Sequence, residues 1–255
     1  MKIALCLYGQ PRCIDNPNIK KTINEKILSQ YNIDVYGHFW YDDAVQKFHG
    51  SDWLDTPTKY HQGGPFDANP NTLDIIKDTY NLTNLNNFVY EPPKDFSNIL
   101  TEDEMLVLSK KKSIHPSDNN NFYSPNNVNS LLSHLYSIET ALNLIPNDTY
   151  DFIILTRYDT LILQFPILST LERGYVYLNI NYNDNMIIID GNMTNALKCY
   201  SNIKNLIDKI QMWIAEFVKM SNIEYFYGKN AIRTTNIRES MVGVARNKTD
   251  CIGQN

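Results

Sequence analysis

A run of four apolar residues, Phe152-Ile153-Ile154-Leu155, constrains the fold more than any other feature of this chain, because it breaks off at Arg157-Tyr158-Asp159. A short apolar run with no polar alternation suits a strand buried on both faces, as in a parallel sheet covered by helices. The segment before it supplies such a cover. Leu131, Leu135, Ile138, Leu142 and Ile145 recur at alternating intervals of four and three, which predicts a helix with Ser130 as N-cap and Pro146 as its stop.

The same alternation runs through the rest of the chain. Lys2 to Leu7 reads as a first strand, ended by the loop Tyr8-Gly9-Gln10-Pro11-Arg12. A helix is expected over about 19–31, a second strand over Ile33–Trp40, a short helix over 72–80 and a third strand over 87–91, stopped by Pro92-Pro93. A helical patch near 101–110, strands at 175–179 and 186–189, a long helix near 193–220, either continuous or broken around Cys199-Tyr200-Ser201, and a last helix near 230–246 complete the reading. Strand and helix in turn predict an α/β fold with a mostly parallel central sheet flanked by helices. Regions 41–84 and 96–127 read as insertions into one domain spanning 1–255.

Charge and composition remove several classes of function. Lysine and arginine total 23 against 28 acidic residues, a formal net charge of −5, so no basic stripe is available for nucleic acid. No apolar run approaches the ~18 residues of a membrane span, and the opening segment reads as a strand, not a signal peptide. The cysteines, Cys6, Cys13, Cys199 and Cys251, form no C-x-x-C pair, which suits free thiols and a cytoplasmic protein. Neither G-x-G-x-x-G nor G-x-x-x-x-G-K-[ST] occurs, which disfavours dinucleotide oxidoreductases and P-loop enzymes.

Ligands of open α/β sheets sit at the carboxyl ends of the strands. That rule selects Tyr8-Gly9-Gln10-Pro11-Arg12, His38 with Trp40, Asp42 and Asp43, and Arg157-Tyr158-Asp159, with Asp184 in a turn before a strand. Two readings of Arg157 and Asp159 stand side by side. In one, Asp159 is a hard oxygen ligand for a divalent cation and Arg157 faces a diphosphate; in the other, both belong to structural ion pairs. Arg12 suits a phosphate contact or a solvated turn, and His38 a pocket donor or a satisfied core residue.

Taken in order, residues 2–12, Asp-Val-Tyr-Gly-His-Phe-Trp at 34–40, Val-Tyr-Glu-Pro-Pro at 89–93, residues 129–138 and Tyr-Asp-Phe-Ile-Ile-Leu-Thr-Arg-Tyr-Asp at 150–159 resemble a family. It is that of the small GT-A-like (Rossmann-like) glycosyltransferases of phage and bacterial surface-glycan clusters, including the WavE-type lipopolysaccharide-synthesis proteins. The resemblance implies transfer of a hexose from a UDP-sugar such as UDP-glucose to a glycan, lipid or protein acceptor, in the bacterial or, if viral, the host cytoplasm. It implies a nucleotide site at Leu7, Tyr8, Gly9, Gln10 and Arg12, with His38, Ser130 and Tyr158 beside it. Mn²⁺ or Mg²⁺ would be held on the diphosphate by Asp159, the one carboxylate left of a D-x-D motif, here Arg157-Tyr158-Asp159. Arg157 would steady the leaving group and Asp184 would serve as the catalytic carboxylate. The helix opening at Asn129-Ser130 would point its N-terminus at the nucleotide. A sugar-phosphate nucleotidyltransferase and an inert nucleotide-sugar-binding protein are the alternatives.

Overall fold

The computed structural model describes residues 1–42, 44, 47–48, 66–109, 125–147, 149–178, 186–207, 215–234 and 242–244. The first half runs β1 (Ile3–Tyr8), α1 (Pro17–Ile23), β2 (Ile33–Trp40), β3 (Lys47–Phe48), β4 (Phe66–Asp67), α2 (Thr72–Thr79) and β5 (Phe88–Glu91). Next come α3 (Glu102–Ser109), α4 (Pro125–Asn143), β6 (Phe152–Arg157), β7 (Thr160–Ile162), β8 (Val176–Leu178) and β9 (Met186–Asp190). The described chain closes with α5 (Ile203–Leu206), α6 (Ala215–Tyr227), β10 (Ile232–Thr234) and β11 (Val242–Val244).

Seven strands form one sheet in the order β10-β8-β9-β6-β1-β2-β5. The pairs β6–β1, β1–β2, β2–β5 and β10–β8 are parallel, and only β9 runs against its neighbours β6 and β8. The expected α/β fold with a mostly parallel sheet is therefore present. Side-chain alternation along β1 divides the core in two. Ile3, Leu5 and Leu7 face Ile19 and Ile23 of α1 and Ile76 of α2, whereas Ala4, Cys6 and Tyr8 face Ile138 and Leu142 of α4. Every side chain of β1 is buried, and each fully buried Leu or Ile contributes about 1.5–3 kcal/mol.

The long helix α4 positions the site. Its 19 residues reach about 28 Å, well beyond the length of the strands it covers. The C-terminal half, from Ile138 on, packs against β1 and β6. The N-terminal half overhangs the carboxyl edge of the sheet, where Val128, Leu131, Leu132 and Leu135 meet Trp40, Phe96 and Leu100. The helix opens at Pro125, so Ser130 lies within it, exposed, and is not its N-cap. The apolar spacing that locates the buried face begins later than the helix itself.

Of the two helices expected near the end of the chain, one is broken and the other is absent among the described residues. The stretch 193–220 is a 3-10 segment (Gly191–Leu197), the short α5 and then α6, with the break at Cys199-Tyr200-Ser201 where the sequence offers one. The helix read near 230–246 gives way to a 3-10 turn and the strands β10 and β11. These three-residue strands are set by pairing with β8 and β7, a tertiary effect that outweighs local preference. Within region 41–84, Ile76 and Tyr80 belong to the main core, so α2 is part of the flanking layer.

Candidate functional site

The carboxyl ends of β1, β2, β5 and β6 lie side by side, and the polar residues that end them converge. β1 leaves the sheet through Gly9, whose φ of +96° lies in the region that glycine reaches without Cβ strain. The Gln10 carbonyl then accepts from the Arg12 amide at 2.8 Å, across Pro11. A proline ring fixes φ near the value such a tight turn needs. The turn carries Arg12 back across the end of β6.

Arg12 there meets Arg157 and Asp159. Arg157 is the last residue of β6, in register with Tyr8 of β1. Its Nε donates to Asp159 Oδ1 at 2.9 Å and its Nη2 to Oδ2 at 2.7 Å, a bidentate pair. Arg12 Nη2 donates to the same Oδ2 at 3.0 Å. The Asp159 side chain is 2% exposed, against 16% for Arg12 and 21% for Arg157. Burial by itself would raise the Asp159 carboxyl, but the charges and hydrogen bonds of Arg157 and Arg12 outweigh it and hold it below the usual carboxylate range.

A second chain of bonds fixes the Gly9 turn to α4. The Gly9 amide donates to Ser137 Oγ at 2.8 Å, Ser137 Oγ contacts His38 Nδ1 at 2.7 Å, and His38 Nε2 contacts Glu91 Oε1 at 3.1 Å. The proton positions follow from the charges. Glu91 sits below its ordinary pKa; burial opposes this, and Lys94, His38 and Tyr136 more than offset it, so Glu91 is an ionised acceptor. His38 Nε2 therefore donates. Burial, partly countered by Glu91, pushes His38 down to about 4, so the ring is neutral at pH 7 and Nδ1 accepts from the Ser137 hydroxyl. Lys94 extends the chain, bonding Glu91 Oε2 at 2.6 Å and the Tyr136 hydroxyl at 2.8 Å.

The expected site residues thus separate. Gly9, Gln10, Arg12, Arg157 and Asp159 come together at the carboxyl edge. Leu7 and Tyr8 are buried strand residues, and the Tyr8 ring packs edge-on against His134. His38 is fully buried and acts through Ser137. Tyr158 does not face the site. It lies in the turn between β6 and β7, fully buried, edge-on to Phe39 and Tyr80. A Cβ on Gly37 would lie 2.5 Å from its hydroxyl, so Gly37 is required for that approach. Asp184 and Asp43 lie outside the described residues. A cavity of about 410 Å³ lies at the other edge of the sheet, lined by Ile33, Asp34, Asn84 and Asn87 at the amino ends of β2 and β5.

Ser137 and Glu91 were not among the residues selected from sequence. Ser137 is buried next to the apolar stripe of α4, and a polar residue beside such a stripe is the available signal. Glu91 ends a strand, as the carboxyl-end rule requires, but Pro92-Pro93 draws attention to the turn instead.

The donor set does not fit the expected Mn²⁺ or Mg²⁺. Such an ion needs several oxygen ligands at about 2.0–2.6 Å. Both oxygens of Asp159 are occupied by guanidinium groups, and a dication there would sit beside two like charges. Among the described residues there is also no group of three or more His, Cys, Asp or Glu able to hold a metal ion. Asp159 pairs with Arg157 and Arg12, the arrangement of the ion-pair reading of these residues.

No protein-family model matches the chain, and no curated protein matches it. Among solved structures it is similar to the galactosyltransferase LgtC in complex with donor and acceptor sugar analogs, at 10% identity and a TM-score of 0.43, over 92% of this chain and 73% of that one. It is also similar to the glycosyltransferase GlyE of Streptococcus pneumoniae TIGR4, at 8% identity and a TM-score of 0.39, over 92% of this chain and 45% of that one. Mouse xyloside xylosyltransferase 1 gives 7% identity and a TM-score of 0.36, over 92% of this chain and 84% of that one. These superpositions are loose, and the functional reading rests on the residues of this chain.

Proposed function

We propose that the protein is a glycosyltransferase that takes a hexose from a nucleotide-sugar donor, with UDP-glucose the first donor to try. The observation that carries this reading is the convergence of Arg12 and Arg157 on a buried carboxylate at the carboxyl ends of β1 and β6. Paired guanidiniums there match a diphosphate, whose oxygens accept bidentate bonds, and the Gly9 turn lets the backbone approach the nucleotide. The ordered motifs at 2–12, 34–40, 89–93 and 150–159, which resemble glycosyltransferases, support the same reading.

In the reaction the bond from the anomeric carbon to the β-phosphate oxygen breaks, and its electron pair stays on the departing nucleoside diphosphate. The acceptor hydroxyl oxygen bonds the anomeric carbon, and its proton passes to a carboxylate, the part proposed for Asp184. Arg12 and Arg157 counter the charge that develops on the diphosphate.

Release of nucleoside diphosphate from a panel of UDP-, GDP- and ADP-sugars tests the proposal. Release from one donor, falling about 10²-fold in Arg157→Ala, is expected. Stabilisation by a nucleoside triphosphate together with a sugar phosphate, with no release from any sugar nucleotide, would move the protein to the nucleotidyltransferases.

A further inference from the structure

We propose that the donor diphosphate is bound without a divalent cation, by an arginine pair that Asp159 holds in place. This deepens the nucleotide-sugar reading above and rests on it. The aspartate occupies the position where the resemblance leads one to expect a metal ligand, yet it is engaged otherwise. Oδ2 accepts from both Arg12 and Arg157, and Oδ1 accepts from Arg157 Nε. With its side chain 2% exposed, the carboxylate is more deeply buried than the two guanidiniums, which at 16% and 21% remain in part accessible to solvent. A ligand arriving from solvent meets the arginines before it meets the aspartate.

This stacking of charges has a chemical consequence. The buried carboxylate holds the Arg157 fork at two points and Arg12 at one before any ligand arrives, so less ordering remains when a diphosphate binds. Arginine stays protonated throughout and offers a planar fork to phosphate oxygens. The pair therefore supplies what a dication supplies in the expected D-x-D arrangement, positive charge placed beside the leaving oxygen. Replacing Arg157 for Asp at the first position of that motif both removes a metal ligand and adds a cation. One exchange accounts for both departures. Asp159 is then a positioning residue, acting on the donor through Arg12 and Arg157.

The test uses the whole protein and calorimetric titration with UDP, GDP and ADP, in excess EDTA and again in Mn²⁺. The expected result is a Kd for one nucleotide that agrees within about threefold between the two conditions. Asp159→Asn should weaken that nucleotide about tenfold in both conditions alike, since the amide cannot accept from both forks on both atoms. Arg157→Lys, which keeps the charge and loses the fork, provides the same readout if Asp159→Asn fails to fold. Nucleotide binding seen only with Mn²⁺, or lost in Asp159→Asn only when Mn²⁺ is present, would overturn the metal-free site while leaving the glycosyltransferase reading intact. Binding of no nucleotide in either condition would overturn that reading as well.

Discussion

Two clusters of arginine and aspartate sit at opposite edges of the same sheet, and among the described residues they are built differently. At the carboxyl edge, Arg12 and Arg157 share Asp159. At the amino edge, Arg173 is shared by Asp190, at 2.7 Å from its Nε, and by Asp151, at 2.6 Å from its Nη1. The amino-edge carboxylates are further bonded by backbone. The amides of Gly174 and Asn192 donate to Asp190, and that of Lys2 donates to Asp151. This cluster joins the start of β6, the end of β9 and the chain entering β8, and its anions are bonded by the chain itself. Among the described residues the carboxyl-edge cluster is built the other way, with the Asp159 carboxylate bonded by two arginines. An arrangement that only had to hold the sheet together would be satisfied by the first pattern. The second leaves Arg12 and Arg157 in part exposed, as the proposed diphosphate site requires.

The sharpest way to break that comparison is to remove each aspartate in turn. Asp190→Ala should cost about 3–4 kcal/mol of stability, because Arg173 and two amides lose their acceptor, as read from denaturant melts. Nucleotide affinity of the folded fraction should be unchanged. An equal loss of affinity would mean that the two edges do not differ in role.

Acid should expose a second difference, since a buried neutral histidine lies at the carboxyl edge. His38, facing Glu91 and Lys94 with Ser137 on the other nitrogen, titrates near 4 when folded against about 6.5 when unfolded. Below about 6.5 the unfolded chain binds a proton that the folded chain does not. Its contribution is therefore complete above pH 6.5 and falls away towards pH 4, by roughly 3 kcal/mol in all. Asp190 and Asp159, both held below the usual carboxylate range, contribute above about pH 4 and lose that contribution at lower pH. His38→Asn should flatten the slope between pH 4 and 6.5 and leave the loss at lower pH. An unchanged slope in urea melts across that interval would refute the assignment of the neutral ring.

Arg157→Ala should act oppositely to Asp190→Ala. Nucleotide affinity is expected to fall about 10–100-fold with a small change in stability, because Arg12 still pairs with Asp159. Ser137→Ala is the mildest of the set. Loss of the acceptor for the Gly9 amide should cost about 1 kcal/mol, measured by chemical melts, with a weaker effect on binding than Arg157→Ala.

The frame of this fold was largely legible in the chain. β1, β2, β5, β6 and the buried face of α4 follow from apolar runs and four-three spacing, because long periodic segments are decided locally. β10 and β11, read as part of a helix, were not legible because three-residue strands exist only through their partners. At the site, the carboxyl-end rule found Gly9, Arg12, Arg157 and Asp159. It also selected Tyr158, whose side chain is buried against Phe39 and Tyr80 in the turn between β6 and β7, and no spacing in the sequence marks that. That Asp159 pairs with Arg157 was one of the two readings; that Arg12 joins them was not legible, since it lies 147 residues away in sequence and only the sheet register brings it there.

The most direct measurement is titration of an intact sugar nucleotide, UDP-glucose first and GDP- and ADP-sugars after it, into the wild-type protein and the Arg12→Ala/Arg157→Ala double variant. Saturable binding of one donor by the wild type, abolished in a double variant that still melts cooperatively, is the predicted result. A double variant that binds the same donor with undiminished affinity would show that the carboxyl-edge arginines are not the diphosphate site.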